Sequence, residues 1–219
     1  MPNTPDNPQK LVILGNSWLA EEMYDLISEM PEWQVDAFAE NLDPQRCKKK
    51  LEGLPVIWID ELARMSSTHL AVCGISTTHR GRYTQQAAGL GMSFAAIVHP
   101  TARVSARAEL GEGCFISAGC VVSTRTVLGD HVFLNRGAMI GHHTRIGELA
   151  TIQPGANIAG LVEIGERTYV GMGAVVLDRI KIGKGCVIGA GAVVTRDVPD
   201  CVQVVGVPAK IVKTDIEGK

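Results

Sequence analysis

From Val98 to Val194 every sixth residue is a bulky aliphatic: Val98, Val104, Leu110, Ile116, Val122, Leu128, Leu134, Ile140, Ile146, Ile152, Ile158, Ile164, Val170, Val176, Ile182, Ile188 and Val194. An amphipathic helix repeats every 3.6 residues and a half-buried strand every two, so neither produces this register. It predicts a solenoid of short strands and tight turns, a hexapeptide β-helix. Two residues before each aliphatic stands a small or medium side chain, from Ala96, Ala102 and Ala108 through Cys114 and Cys120 to Cys186 and Ala192. Residues two apart in a strand point the same way, so each hexad sends one large and one small group inward. The residue after the aliphatic is often glycine (Gly111, Gly129, Gly141, Gly147, Gly165, Gly171, Gly183, Gly189), which predicts positive-φ corners at those positions. No hexad carries an insertion, so a ligand must bind on the outer faces.

The first ninety residues have a different pattern. Leu11–Leu14 is a short apolar run followed by Gly15-Asn16-Ser17. Trp18–Met30 reads as a helix with Leu19, Met23, Leu26 and Ile27 on one stripe. Val35–Phe38 and Leu70–Cys73 read as strands and Pro55–Ile59 as a short apolar run; Asp60–Met65 and Thr77–Leu90 read as helices. Phe94–Val98 leads into the repeats. Strands alternating with helices predict a small parallel α/β unit, whose ligands sit at the carboxyl ends of the strands. Those ends carry Gly15-Asn16-Ser17, Glu40-Asn41 and Gly74-Ile75-Ser76-Thr77. Gly15 is the only glycine of the first turn, so the GxGxxG dinucleotide fingerprint is missing and a bound NAD is not expected.

Bulk properties narrow the function. The 219 residues carry a net charge of −2, which leaves no nucleic-acid footprint. No apolar stretch is long enough to span a membrane and the start is no signal peptide, so a cytoplasmic location is expected. Six cysteines lie at irregular spacing, with Cys114, Cys120 and Cys186 on the inward register. They read as small buried hydrophobes.

An α/β unit followed by hexapeptide coils, with Asn135-Arg136-Gly137-Ala138-Met139-Ile140-Gly141-His142, the run Gly189–Val194 and the closing Val205-Gly206-Val207-Pro208-Ala209-Lys210, resembles the bacterial sugar O-/N-acyltransferases. These include the N-acetyltransferases of nucleotide-linked 4-amino-sugars and the sialic-acid O-acetyltransferases. The resemblance implies a Rossmann-like, nucleotide-sugar-binding α/β domain over residues 11–95, between a polar tail at 1–10 and the repeats. It implies a left-handed parallel β-helix over 96–212, with a C-terminal CoA-binding segment and a short tail at 213–219. It further implies a homotrimer with active sites at the subunit seams, acetyl-CoA as co-substrate, no metal, and a nucleotide-linked amino-sugar, foremost a UDP-4-amino-sugar, as acceptor.

Acyl transfer from a thioester to an amine needs an unprotonated nucleophile, a base for the proton it sheds, and a donor for the oxyanion. By family match His142 is the general base and Asn135 orients base or substrate. Family members often place an acid directly after the base; here His143 stands there, and a second imidazole can accept a hydrogen bond without a fixed charge. Glu148 and Asp130 are the alternative carboxylates. Thr151 stands where some relatives carry a histidine that contacts the thioester. The match places Gly160, Met172 and Ala190 against the pantetheine arm and Lys210 near phosphate. It places Asn16, Ser17, Glu40 and Asn41, with Thr77 and Arg80, around the nucleotide-sugar; Arg80 reads equally well as an exposed helix charge.

Rival readings are O-acetylation of a sugar hydroxyl, which demands a stronger base, and a non-catalytic repeat scaffold. A zinc-dependent prism enzyme would need three converging histidines. His131, His142 and His143 are available, but adjacent residues do not readily point at one metal.

Overall fold

The computed structural model describes residues 7–219. They form two compact units, one running to Ser76 and resuming over Arg80–Ala95, the other comprising Thr77–His79 and Ala96–Lys219. Among the described residues no helix is long and apolar enough to cross a membrane.

The first unit is a six-stranded sheet with helices. Its elements are β1 (Gln9–Leu14), α1 (Trp18–Ser28), β2 (Trp33–Glu40), β3 (Lys50–Leu51), β4 (Leu54–Trp58), α2 (Leu62–Met65), β5 (His69–Cys73), α3 (Gly81–Gly89) and β6 (Ser93–Phe94). The strand order is β3-β4-β2-β1-β5-β6, and every pair is parallel except β3 with β4. The chain steps from β1 outward to β2 and β4, then crosses to β5 on the other side of β1. That reversal opens the crevice between the carboxyl ends of β1 and β5.

Several expectations shift. The tail expected through Lys10 already contributes Gln9 and Lys10 to β1, while residues 1–6 lie outside the described residues. In α1 the buried residues are Ala20, Met23 and Ile27, with Leu19 and Leu26 only half-buried. The helix is rotated to bring Ala20 against Gly74, where an added Cβ would lie 2.9 Å from the Ala20 Cα. The expected helix Thr77–Leu90 is a 3-10 turn at Thr78–Arg80 followed by α3. The apolar run Pro55–Ile59 corresponds to most of β4, whereas β3, only two residues long, and the hairpin it makes were not expected; Glu52 and Gly53 both have positive φ, as a tight two-residue hairpin turn needs. A bulge leaves Asp36 unpaired between Leu11↔Val35 and Val12↔Ala37, and Asp36 binds Lys10 (3.6 Å) and His69 (3.0 Å).

The second unit is a prism of three parallel sheets. Face one contains Ile97–Val98, Phe115–Ile116, Phe133–Leu134, Thr151–Ile152, Tyr169–Val170 and Val187–Ile188. Face two contains Arg103–Val104 through Met139–Ile140 to Val193–Val194, and face three Glu109–Leu110 through Arg145–Ile146 to Lys181–Ile182. Each strand pairs with those one coil away, as Phe115 does with Ile97 and with Phe133. From Ile116 onward the periodic aliphatics are buried in one continuous core with Cys114, Cys120 and Cys186 between them. Burial pushes the Cys120 thiol up to about 11, so it behaves as packing rather than as a nucleophile. The first coil is looser, with Val98, Val104 and Leu110 half-buried and Ala96 exposed.

The glycines after the aliphatics have a role other than the expected one. Positive φ occurs two residues later, at Gly137, His143 or Leu149 for example. Gly129, Gly165 and Gly171 instead lie where an added Cβ would meet the next coil's backbone at 2.5–2.7 Å. Glycine there permits coil stacking.

The C-terminal residues are tied to the prism. Val205 and Lys210 pair across a hairpin containing Val207-Pro208, and the Ala209 amide donates to the Val193 carbonyl at 2.8 Å. Beyond it, the segment expected as a tail runs back along the prism: the Ile216 amide donates to Cys201 and the Gly218 amide to Gly185.

Candidate active site on two corners of the prism

The corner between faces two and three carries His142. It follows the strand Met139–Ile140 and precedes Arg145–Ile146. Both His142 and His143 are exposed, and His143 takes a left-handed turn conformation, φ 57°. The two Nδ1 atoms are 3.1 Å apart with the rings edge-to-face. Hydrogen bonding between them requires one Nδ1 to carry a proton and the other to accept it. The His142 ring lies over Gly160, one coil on, where an added Cβ would sit 2.7 Å from its Cε1 and Nε2. The alternative carboxylates do not approach. Asp130 and Glu148 lie at the corner between faces three and one, where Asp130 accepts from the Glu112 amide at 2.9 Å. His131 shares that other corner, so His131, His142 and His143 do not converge.

The corner between faces one and two carries Asn135, then Met172 two coils on and Ala190 in the coil after that. Asn135 is buried; its Oδ1 accepts from the Arg136 amide (2.8 Å) and its Nδ2 faces Gln153 Oε1 (3.4 Å). Gln153 was missed in the sequence, although a single coil period from Asn135 leads to it. Met172 and Ala190 are exposed. Between them this corner turns on an unbroken glycine column, Gly119, Gly137, Gly155, Gly173 and Gly191, with φ 62–68°. Lys210 is exposed on the closing hairpin. The structure therefore divides the expected prism residues: His142, His143 and Gly160 on one corner, Asn135, Met172 and Ala190 on another, separated by face two. Thr151 joins neither. It stands outward on face one yet is fully buried, so it offers no accessible hydroxyl to a thioester. A shallow groove of about 770 Å³ on face three is lined by residues such as Arg145, Glu163 and Lys181, with none of the expected site residues.

In the first unit the strand ends gather Asn16, Ser17 and Asn41. Gly15 (φ 106°) makes the turn after β1, and an added Cβ would press on the Gly74 carbonyl oxygen at 3.3 Å. Glu40 is buried and accepts from the amides of Asn41, Leu42 and Asp43 through one oxygen while the other faces Arg46 at 3.4 Å. It shapes the loop and holds Asn41, whose Nδ2 donates to Gln86 at 3.1 Å. Arg80 is fully buried, which overturns the reading as an exposed helix charge; its guanidinium lowers a Cys73 thiol that burial pushes up to about 11. Thr77, half-buried, belongs to the second unit and precedes Thr78, which binds the backbone of Lys219 in that same unit. Under the strand ends, Tyr83 packs among Leu14, Ala39 and Cys73 with its hydroxyl buried and without a hydrogen-bond partner.

Comparison with known proteins follows this geometry. The bacterial transferase hexapeptide (six repeats) family matches residues 125–160 and 162–196. A sequence search of curated proteins returns no match. Among solved structures, the GDP-perosamine N-acetyltransferase PerB of Caulobacter crescentus, bound to CoA and GDP-perosamine, is 32% identical. The match covers 93% of this chain and 97% of that one, with a TM-score of 0.85. The acetyltransferase domain of PglB from Neisseria gonorrhoeae in complex with acetyl coenzyme A is 28% identical over 94% and 100% of the two chains, TM-score 0.86. WeeI from Acinetobacter baumannii is 26% identical over 92% and 99%, TM-score 0.77. The prism is thus a left-handed β-helix preceded by an α/β domain, and the chain belongs to the bacterial sugar acyltransferases of the hexapeptide-repeat superfamily.

Proposed function

We propose that this acyltransferase moves the acetyl group of acetyl-CoA to the amine of a nucleotide-linked amino-sugar, by direct attack of the amine on the thioester. The observation that carries this reading is the exposed imidazole of His142, held by His143 and seated over Gly160. The relatives supply the substrate class: PerB binds GDP-perosamine and CoA, and the PglB domain binds acetyl coenzyme A.

The chemistry follows from the pair. If His142 Nδ1 carries the proton and donates it to His143 Nδ1, then His142 Nε2 has a free lone pair. As the amine nitrogen bonds to the acetyl carbon, Nε2 takes the proton that the nitrogen sheds; the C–S bond then breaks, and the same proton passes from Nε2 to the departing sulfur, which leaves as the CoA thiol. His143 thereby stands in for the acid that relatives place after the base. An imidazole partner supports the developing imidazolium less than a carboxylate does, which suits an amine acceptor better than a hydroxyl that must lose its proton during attack.

The other half of the site is the glycine corner. Its turns carry no side chain, so a pantetheine arm can lie close to the backbone near Met172 and Ala190, with Lys210 by the closing hairpin. Since face two separates this corner from His142 within one chain, the arrangement works when a second copy brings its glycine corner to the histidine corner of the first, as in a homotrimer. The first unit holds the nucleotide-sugar at its strand ends with Asn16, Ser17 and Asn41.

The test is thiol release from acetyl-CoA with UDP-, GDP- and dTDP-linked 4-amino-sugars, UDP first, against hydroxyl-only sugars. Release with one amino-sugar alone supports the reading and names the nucleotide. Release with hydroxyl sugars alone would replace it with O-acetylation, and silence throughout would remove the catalytic assignment.

A further inference from the structure

Resting on the reading that the strand ends of the first unit bind the nucleotide-sugar, we propose that the segment Thr214–Lys219 is a clasp that positions the loop after β5 for that substrate, and that Thr78 is the positioning residue it grips. The segment adds nothing to the core. Thr214, Asp215, Glu217 and Lys219 are exposed, and none of the six residues belongs to the apolar cluster inside the prism. Yet it is held at successive points. It crosses the corner between faces three and one over three coils, whose left-handed residues are Arg167, Gly185 and Cys201. The Ile216 amide donates to the Cys201 carbonyl at 3.0 Å and the Gly218 amide to the Gly185 carbonyl at 2.8 Å. Gly218 is itself left-handed, φ 71°, and an added Cβ would lie 2.6 Å from the Arg167 carbonyl oxygen and press on the Thr78 hydroxyl. The Lys219 ammonium stands 4.6 Å from the centre of the Tyr169 ring.

What this seating holds is Thr78. Its amide (2.6 Å) and its hydroxyl (2.9 Å) both donate to the Lys219 backbone oxygen, and the hydroxyl also accepts from the Lys219 amide at 2.9 Å. One hydroxyl thus serves as donor and acceptor to a single residue. Thr78 is buried and sits in the stretch Thr77–His79, which belongs to the second unit, between Ser76 and Arg80 of the first. Upstream, the Gly74 amide donates to the Leu14 carbonyl at 2.8 Å and fixes the start of the same loop. Between these two anchors lie Ile75, Ser76 and Thr77, all half-buried. A three-residue span fixed at both ends has few conformations, and opening one end multiplies them. Affinity for a ligand that needs one conformation falls with the fraction of chains holding it. The clasp therefore acts on acceptor affinity and leaves the imidazole chemistry alone.

The experiment compares the full chain with three variants. Thr78→Val keeps nearly the same shape and loses the hydroxyl's two bonds, Thr78→Ser keeps them, and Gly218→Ala unseats the clasp without touching Thr78 or the core. Calorimetric titration with UDP, GDP and dTDP, without acetyl-CoA, runs beside steady-state turnover of the amino-sugar that the wild-type chain accepts. Thr78→Val and Gly218→Ala are each expected to weaken nucleotide binding and to raise KM for the nucleotide-sugar at least ~5-fold, with kcat and the KM for acetyl-CoA unchanged. Thr78→Ser is expected to match wild type. A clasp that only stabilises the fold would lower the melting temperature of both variants and leave nucleotide binding and KM unmoved, which overturns the proposal; so does a fall in kcat at constant KM. If the wild-type chain acetylates no amine, the proposed reaction fails and the titrations still decide the clasp: weaker binding in both variants supports it and equal binding overturns it. A wild-type chain that binds none of the three nucleotides removes the nucleotide site and the clasp's role together.

Discussion

Two corners of one prism make the same left-handed turn with different residues. Between faces one and two, glycine occupies it in five successive coils; between faces two and three, Arg125, His143, Leu161 and Arg179 adopt the same φ. A left-handed residue other than glycine costs about 1–2 kcal/mol, and the prism bears that at the histidine corner repeatedly. Backbone geometry therefore does not by itself demand the glycine column. What the column achieves is a corner without side chains: an added Cβ at Gly137, Gly155, Gly173 or Gly191 would meet nothing within 4 Å. One corner presents chemistry and the other presents bare backbone, and the proposed site needs both.

The largest effect should come from the core that both corners enclose. Ile152→Asp buries an unpaired charge in the dry interior, and the chain is expected not to fold; a cooperative thermal transition in that variant would show the register to be wrong. At the histidine corner, His142→Ala should lower turnover at least ~10²-fold while circular dichroism and melting stay near wild type. Near-normal turnover would remove His142 from the mechanism. Gly160→Ala should also slow turnover, because its methyl group would press on the Cε1–Nε2 edge of the same ring.

Glycines of the two kinds should then separate by calorimetry. Gly165→Ala sets a methyl 2.5 Å from the Lys184 amide nitrogen and should destabilise by about 2–3 kcal/mol. Gly155→Ala, on the open corner, should lose only about 1 kcal/mol for its left-handed φ. Equal losses would contradict the distinction between stacking glycines and turning glycines.

The smallest effect belongs to the first unit. Burial opposes ionisation of Asp36, but hydrogen bonds from Gln34 and His69 and the charge of Lys10 outweigh it and hold its carboxyl below the usual aspartate range. A carboxyl depressed in the folded state stabilises fully above its unfolded pKa, and the contribution is lost as pH falls through the folded value. Asp36→Asn should therefore flatten the acid limb of the stability curve below pH ~4 and nowhere else. An unchanged acid limb would remove this role.

The prism was legible because its constraint is one-dimensional: a six-residue period fixes which side chains enter the core whatever lies around it. The stacking glycines were visible but misread, since the sequence cannot distinguish a glycine needed for φ from one needed for contact with the next coil. Asn135 and His142 stood out as a pair, but seven residues of separation hides that they occupy different corners. In the first unit the longer strands were legible and the two-residue β3 was not, whereas Glu40 and Arg80 depended on tertiary burial. Glu40 is consumed by three backbone amides and Arg80 is enclosed, outcomes no local pattern encodes.

The central claim, that one site is assembled from the histidine corner of one copy and the bare corner of another, has a direct test. His142→Ala removes the base, and Ala190→Trp fills the bare corner; each variant alone should be inactive. Unfolded together and refolded, or co-expressed, mixed assemblies contain seams in which both halves are wild type, and activity on the order of a quarter of wild type should return. Mixed assemblies that form yet remain inactive would contradict the account.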